Sequence, residues 1–112
     1  MTIVLTSQGT DRDAPMDPRF GRARYLLVYH EDDDRFEIVD NVAGAEAAHG
    51  AGPQTAQRVA QVQAEVVITG NGPGGKAAAV LQAAGVRVHV GAGEMTVDEA
   101  LAAYRRGELP VG

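Results

Sequence analysis

Val66-Val67-Ile68-Thr69-Gly70-Asn71-Gly72-Pro73-Gly74-Gly75-Lys76-Ala77 is the stretch whose reading decides the fold. It opens with a β-branched apolar run that reads as a buried strand. A glycine-rich turn follows. Ala77, Val80, Leu81 and Ala84 then recur at i, i+3, i+4 and i+7, which predicts a helix stopped by Gly85. A further apolar run at 86–90 completes a strand–helix–strand unit, which favours parallel pairing through a right-handed crossover.

Towards the N-terminus, Pro53 suits the first position of a helix that carries Ala56, Val59 and Ala60 on one face. Residues 42–52 before it read as a loop. Residues 25–30 and 35–41 are strand-like, and the acidic run 31–34 between them makes a hairpin. No glycine-spaced calcium loop accompanies that run, so it reads as a solvated turn rather than a cation site. Residues 2–6 form a first short strand. Residues 7–24 have no period and contain Gly9, Pro15 and Pro18, so they read as a long loop, of the kind that is usually functional or disordered. At the other end, Thr96 and Glu99 form a capping box ahead of the stripe Val97, Ala100, Leu101 and Tyr104, and Gly107 stops that helix. The expected fold is α/β: one domain over residues 1–112, with a five-stranded mixed sheet in a three-layer sandwich. Its first three strands are antiparallel and an αβαβα run follows.

Eight of the fourteen glycines fall in three clusters where apolar runs end: Gly50 and Gly52; Gly70, Gly72, Gly74 and Gly75; and Gly91 and Gly93. Glycine serves where backbone must approach another group closely or take positive φ. Three such junctions predict one glycine-lined crevice at the strand ends, with helix N-termini aimed into it and suited to an anion.

Bulk properties exclude several classes. A net charge of −5 argues against non-specific nucleic-acid binding. With no cysteine there is no disulfide, Cys–zinc site or thiolate-held cluster. No basic leader and no membrane-length apolar run is visible, so the expectation is a cytoplasmic protein off the membrane.

The 70–77 segment satisfies GxGxxG through Gly70, Gly72 and Gly75, and GxxxxGK through Gly70, Gly75 and Lys76. The phosphate loop then needs a hydroxyl for magnesium, and Ala77 has none. For a dinucleotide, only Glu94 stands near the expected separation, outside a strand end. The remaining readings are a tight strand–helix turn or backbone amides, including those of Asn71 and Gly72, that line a site for another anion. His49 lies in a loop entering a helix, where an imidazole either ligates a metal, donates to an anion or is simply solvated. His30 and His89 lack histidine partners at ligand spacing and read as structural. Among Arg12, Arg19, Arg22 and Arg24, Arg22 beside Phe20-Gly21 is the candidate for the crevice mouth. No catalytic constellation is present: no nucleophile elbow, HExxH or Ser-His-Asp order. The chain reads as a non-enzyme.

Phe20-Gly21-Arg22-Ala23, Asn41, His49-Gly50-Ala51-Gly52, the 66–70 strand and Gly85-Val86-Arg87-Val88 together resemble the nitrogenase iron–molybdenum cofactor biosynthesis domain family. That family includes small cofactor carriers and an orange-protein branch from sulfate reducers. The likeness runs from about Thr2 to Tyr104. It implies a ribonuclease H-like fold and non-covalent carriage of an anionic molybdenum-containing sulfide cluster, of Mo–Cu or Fe–Mo type. By position it maps Phe20, Gly21, Arg22, His49, Gly50, Ala51 and Gly52 onto the family motifs. Where some members offer cysteine this chain has none, which leaves hydrogen bonds, helix dipoles, Arg22 and, as candidate metal ligand, His49 or a methionine (Met1, Met16 or Met95). It also implies partners: a cofactor-receiving protein or P-loop ATPases. The alternative reading is a regulatory interaction module of the same fold that holds no cluster.

Overall fold

The computed structural model describes residues 1–47 and 49–112. Its five strands are β1 (Thr2–Ser7), β2 (Tyr25–His30), β3 (Arg35–Asp40), β4 (Val66–Ile68) and β5 (Arg87–His89). The helices are α1 (Val42–Ala45), α2 (Ala51–Gln61), α3 (Gly75–Ala83) and α4 (Val97–Arg105). The sheet order is β3-β2-β1-β4-β5, with β1 antiparallel to β2 and parallel to β4. The first three strands are antiparallel and the last two join in parallel, giving the expected mixed α/β sheet.

Alternation along β1 divides the core in two, because successive side chains leave opposite faces of a strand. Ile3 and Leu5 join Leu27, Tyr29, Val66 and Ile68 under Val97, Ala100, Leu101 and Ala103 of α4. Val4 points the other way, joining Leu26, Val28, Val67 and Val88 under Ala56 and Val59 of α2 and Ala77 and Leu81 of α3. The central β4 is buried throughout, as a parallel strand covered on both faces must be. Helix, sheet and helix thus form three layers.

Beyond shifts of one residue at the ends of β1 and β5, three boundaries differ from the sequence reading. The segment read as a 42–52 loop contains one turn of helix, α1, and Ala48 within it lies outside the described residues. Helix α2 begins at Ala51 rather than Pro53, with Gly50 as its N-cap at φ 73°. Proline is tolerated in the third position as well, because the first-turn N–H groups have no intrahelical partner to lose. Strand β3 stops one residue early. Asn41 turns its side chain into the interior, where it is fully buried.

Candidate functional site

The strand register brings the junctions to one end of the sheet. Ser7 pairs with Tyr25 and Tyr25 with Asp40, while Leu5, Ile68 and His89 stand in one row. The loops after β1, β3, β4 and β5 therefore leave from the same end, where ligands of open α/β sheets bind. The acidic 31–34 turn lies at the opposite end.

Close backbone contacts weld these loops together. A Cβ on Gly21 would come within 2.7 Å of the Gly52 nitrogen, so only glycine lets the 20–22 loop lie on the start of α2. A Cβ on Gly52 would in turn sit 3.3 Å from the Ala77 Cβ and 3.5 Å from the Pro73 carbonyl oxygen, which joins the starts of α2 and α3. Across the strand ends, a Cβ on Gly70 would meet Pro18 Cα at 2.5 Å and Gly93 Cα at 2.9 Å. The Asn71 N–H donates to the Pro18 carbonyl at 2.7 Å and fixes that crossing.

Helices α2 and α3 share a second property. Each has a positive-φ glycine at its N-cap, Gly50 (φ 73°) and Gly74 (φ 82°), no side-chain cap and no acidic residue in its first turn. Nothing lies within 4 Å of where a Cβ on either N-cap glycine would be. Helix α4 is the internal contrast: Thr96 and Glu99 close a full capping box, and Asp98 and Glu99 meet its dipole. The third glycine cluster therefore supplies close packing, through Gly93 on Pro18, but no free helix end. The ends of α2 and α3 leave N–H donors and the positive end of each dipole for an anion.

The sequence-derived residues take distinct places. Phe20 is buried beneath α2 and α3 and anchors its loop. Arg22 is exposed, and its Nη1 donates to the carbonyls of Ala45 at 3.0 Å and Ala47 at 2.6 Å, holding the segment that leads to His49. His49 and Gly50 are exposed, Ala51 is buried and Gly52 is half-buried. Asn71 opens onto a cavity of about 650 Å³ that is also lined by Pro18, Gly70, Gly91, Gly93, Glu94 and Met95. Gly72 lies on a different cavity, of about 700 Å³, along the flank of α3. The 20–22 and 49–52 segments line neither of these two cavities. Among the described residues no group of three His, Cys, Asp or Glu is placed to hold a metal ion.

Sequence reading carried Asn41 only as part of the family likeness and missed the partners through which it positions this junction. Fully buried Asn41 donates through Nδ2 to the Ala23 carbonyl at 2.8 Å and to Thr55 Oγ1 at 3.1 Å. Arg58 Nη1 donates to Asn41 Oδ1 at 2.7 Å, and the Thr55 hydroxyl donates to the Gly21 carbonyl at 3.1 Å. One asparagine thus ties the 20–23 loop to α2. The available signal was Thr55 and Arg58 three residues apart on one helical face. Beneath Pro18, the Thr6 hydroxyl sits 2.9 Å from both the Asp17 carbonyl and the Thr69 hydroxyl. Buried Asp17 binds Arg19 and, through that hydrogen bond, raises the guanidinium pKa further.

The profile of the family described as dinitrogenase iron–molybdenum cofactor matches residues 1–107. The chain belongs to that family. Among solved structures, it is similar to the apo form of the orange protein from Desulfovibrio gigas, with a TM-score of 0.93 and 38% identity over 99% of this chain and 92% of that one. It is also similar to a NifB-like protein from Thermotoga, of the DUF35 family, with a TM-score of 0.84 and 34% identity over 98% of this chain and 91% of that one. No curated protein matches it in sequence. As a member of the dinitrogenase iron–molybdenum cofactor family, the chain shares its α/β fold with both relatives. No helix among the described residues is long and apolar enough to cross a membrane.

Proposed function

We propose that this protein is a non-catalytic cytoplasmic carrier of an anionic, molybdenum-containing sulfide cluster of Mo–Cu or Fe–Mo type. The cluster is cargo, held non-covalently by the domain where the 20–22 loop meets the starts of α2 and α3. The observation that carries this reading is the pair of uncapped, carboxylate-free helix N-termini joined at Gly52 and Ala77, in a chain whose third long helix caps itself. The donor set suits a sulfide anion: backbone N–H groups of the HGAG segment and of Gly72, the Arg22 guanidinium and the His49 imidazole, whereas the Asn71 N–H is taken by the Pro18 carbonyl. Family membership and likeness to a protein solved in its apo form support the same reading. A carrier of this kind needs a cofactor-receiving protein, or a P-loop ATPase to drive transfer.

The test is reconstitution of the apo-protein with tetrathiomolybdate and copper, followed by desalting and a visible spectrum. A carrier retains colour; an interaction module of the same fold does not. His49→Ala should shift the charge-transfer bands, since an exposed imidazole beside the α2 N-cap is the nearest nitrogen ligand in the HGAG segment. Unchanged bands with weaker retention would make His49 a hydrogen-bond donor instead.

Nucleotide should not compete. Ala77, where a phosphate loop carries its magnesium hydroxyl, is buried with its methyl group against Gly52 of α2. Titration calorimetry should find no ATP affinity tighter than roughly millimolar, about −4 kcal/mol. Micromolar, magnesium-dependent binding would revive the phosphate-loop reading.

A further inference from the structure

Glu94 differs from the acids around it in having nothing in the chain to answer its charge. Asp17 is held by Arg19, Asp98 by Arg12, and the Glu99 carboxylate accepts from the Thr96 N–H in the α4 capping box. Among the described residues Glu94 makes no ion pair and no side-chain hydrogen bond. It is exposed, and it lines the cavity of about 650 Å³ where Pro18, the Gly70–Asn71 turn and the loop after β5 meet. It is the one charged residue of that lining. Arg12 and Arg19 are committed to Asp98 and Asp17, and none of Arg22, Arg24, Asp40, Glu46 or Lys76 lines the cavity.

The rest of the lining is neutral and two-sided. Among the described residues the carbonyls of Asn71, Gly91 and Gly93 accept no hydrogen bond, and the N–H groups of Gly70 and Gly93 donate none. Such groups serve a guest of either sign, so the Glu94 carboxylate decides, and it selects a cation. A bare metal ion fits poorly, because no group of three His, Cys, Asp or Glu forms among the described residues. The volume is that of a site for an organic group, typically about 300–1,000 Å³. Pro18 and Met95, which also packs on the core beneath α4, supply apolar wall for an aliphatic stem. A guanidinium uses most of this set, since it gives two parallel N–H groups to one carboxylate and keeps others for carbonyls.

The net charge of −5 says what brings such a group here. A protein approaching this chain is drawn in by positive surface, and an anionic cargo strengthens that field. The cavity also adjoins the cargo junction, with Pro18 two residues from Phe20, and Asn71 leading through Gly72–Gly74 to the start of α3.

The geometry points to an arginine pocket. The cavity receives the arginine side chain of a basic partner protein, with its guanidinium on Glu94 and its stem along Pro18 and Met95. This rests on the carrier reading only in making that partner the receiver of the cargo.

Amide-resolved NMR of the isotope-labelled apo-protein, titrated with N-acetyl-arginine amide, tests the pocket. Signals of Gly91, Gly93, Glu94 and Met95 should move and saturate, with a Kd on the order of millimolar. N-acetyl-citrulline amide, which has the shape without the charge, should leave them in place. N-acetyl-lysine amide should bind several-fold more weakly. Glu94→Gln should weaken arginine binding about tenfold or more. Glu94 is exposed, so this variant keeps its fold, and the unmoved remainder of its spectrum checks that. Glu31→Gln, an exposed acid at the opposite end of the sheet, should change nothing. No saturable shift up to about 20 mM overturns the proposal. So does equal binding by Glu94→Gln, equal binding of the citrulline or lysine compound, or equal loss in Glu31→Gln. No cargo enters any of these samples, so failure here leaves the carrier reading standing, and failure of the carrier reading leaves the pocket.

Discussion

Gly70→Ala should lower the melting temperature by about 10–20 °C, the largest stability effect of any single methyl group added at the loop end. The added Cβ would have to share space with Pro18 Cα at 2.5 Å, Gly93 Cα at 2.9 Å and the Pro18 carbonyl oxygen at 2.9 Å. All three are backbone atoms, so no rotamer change relieves the overlap. Overpacking typically costs about 1–3 kcal/mol, and this position belongs at the top of that range. Moving Pro18 would also strain the 2.7 Å bond from Asn71 N–H and the bond from Asp17 N–H to the Thr6 carbonyl. In a domain of about this size each kcal/mol shifts the midpoint by roughly 4–8 °C. Gly72→Ala is the control two residues on. A Cβ there meets nothing within 4 Å and φ is not left-handed, so its change should stay within about 0.5 kcal/mol. Thermal melts of the two variants side by side decide the matter. Equal midpoints would mean that the loop after β1 is not held against β4 as described.

Arg22→Ala should weaken retention of a thiomolybdate-type anion by roughly tenfold to a hundredfold, equivalent to about 1.4–2.8 kcal/mol. A hydrogen bond to a charged group is worth about 1.5–3 kcal/mol, and no thiolate is present to compensate for its loss. Among the described residues only Nη1 of Arg22 is engaged, on the carbonyls of Ala45 and Ala47. The side chain thus holds the approach to His49 with one nitrogen and has further donors to offer. Stability should change little, since an exposed side chain bonded to a surface loop contributes under about 1 kcal/mol. That separates this variant from Gly70→Ala. Arg22→Lys keeps the charge but loses the planar fork, and should recover only part of the retention. Added salt should weaken binding further. Equal colour in wild type and Arg22→Ala after desalting would remove Arg22 from the site.

Local chemistry is legible in the amino-acid order alone. Helix α4 is specified within its own residues: Thr96 and Glu99 cap each other, Val97, Ala100 and Leu101 face inward, and Gly107 takes φ 72° just past its end. The β2–β3 hairpin and the strand–turn–helix at 66–83 are equally plain, because hydrophobic period and glycine placement are short-range signals. The glycine clusters also fall together at one end of the sheet.

What stays hidden depends on residues far apart in sequence. Helix α1 is four residues of weak intrinsic preference, and its C-terminal carbonyls are met by Arg22 from across the chain. No local window contains that bond. Asn41 reads as one polar residue after a hairpin until folding brings Thr55, Arg58 and the Ala23 carbonyl around it. Which glycines are needed for packing and which leave space open is likewise undecided by local order. Gly21 and Gly70 press on backbone and Gly52 on the Ala77 methyl group, while Gly72 and Gly75 meet nothing. The amino-acid sequence by itself determined the elements other than α1 and their turns, because those are settled by bonds within a few residues. Only the tertiary structure decided strand order, the free ends of α2 and α3, and the cavity that sets Glu94 beside Pro18 and Asn71. Each of these is a contact between segments that the chain brings together only when the core closes.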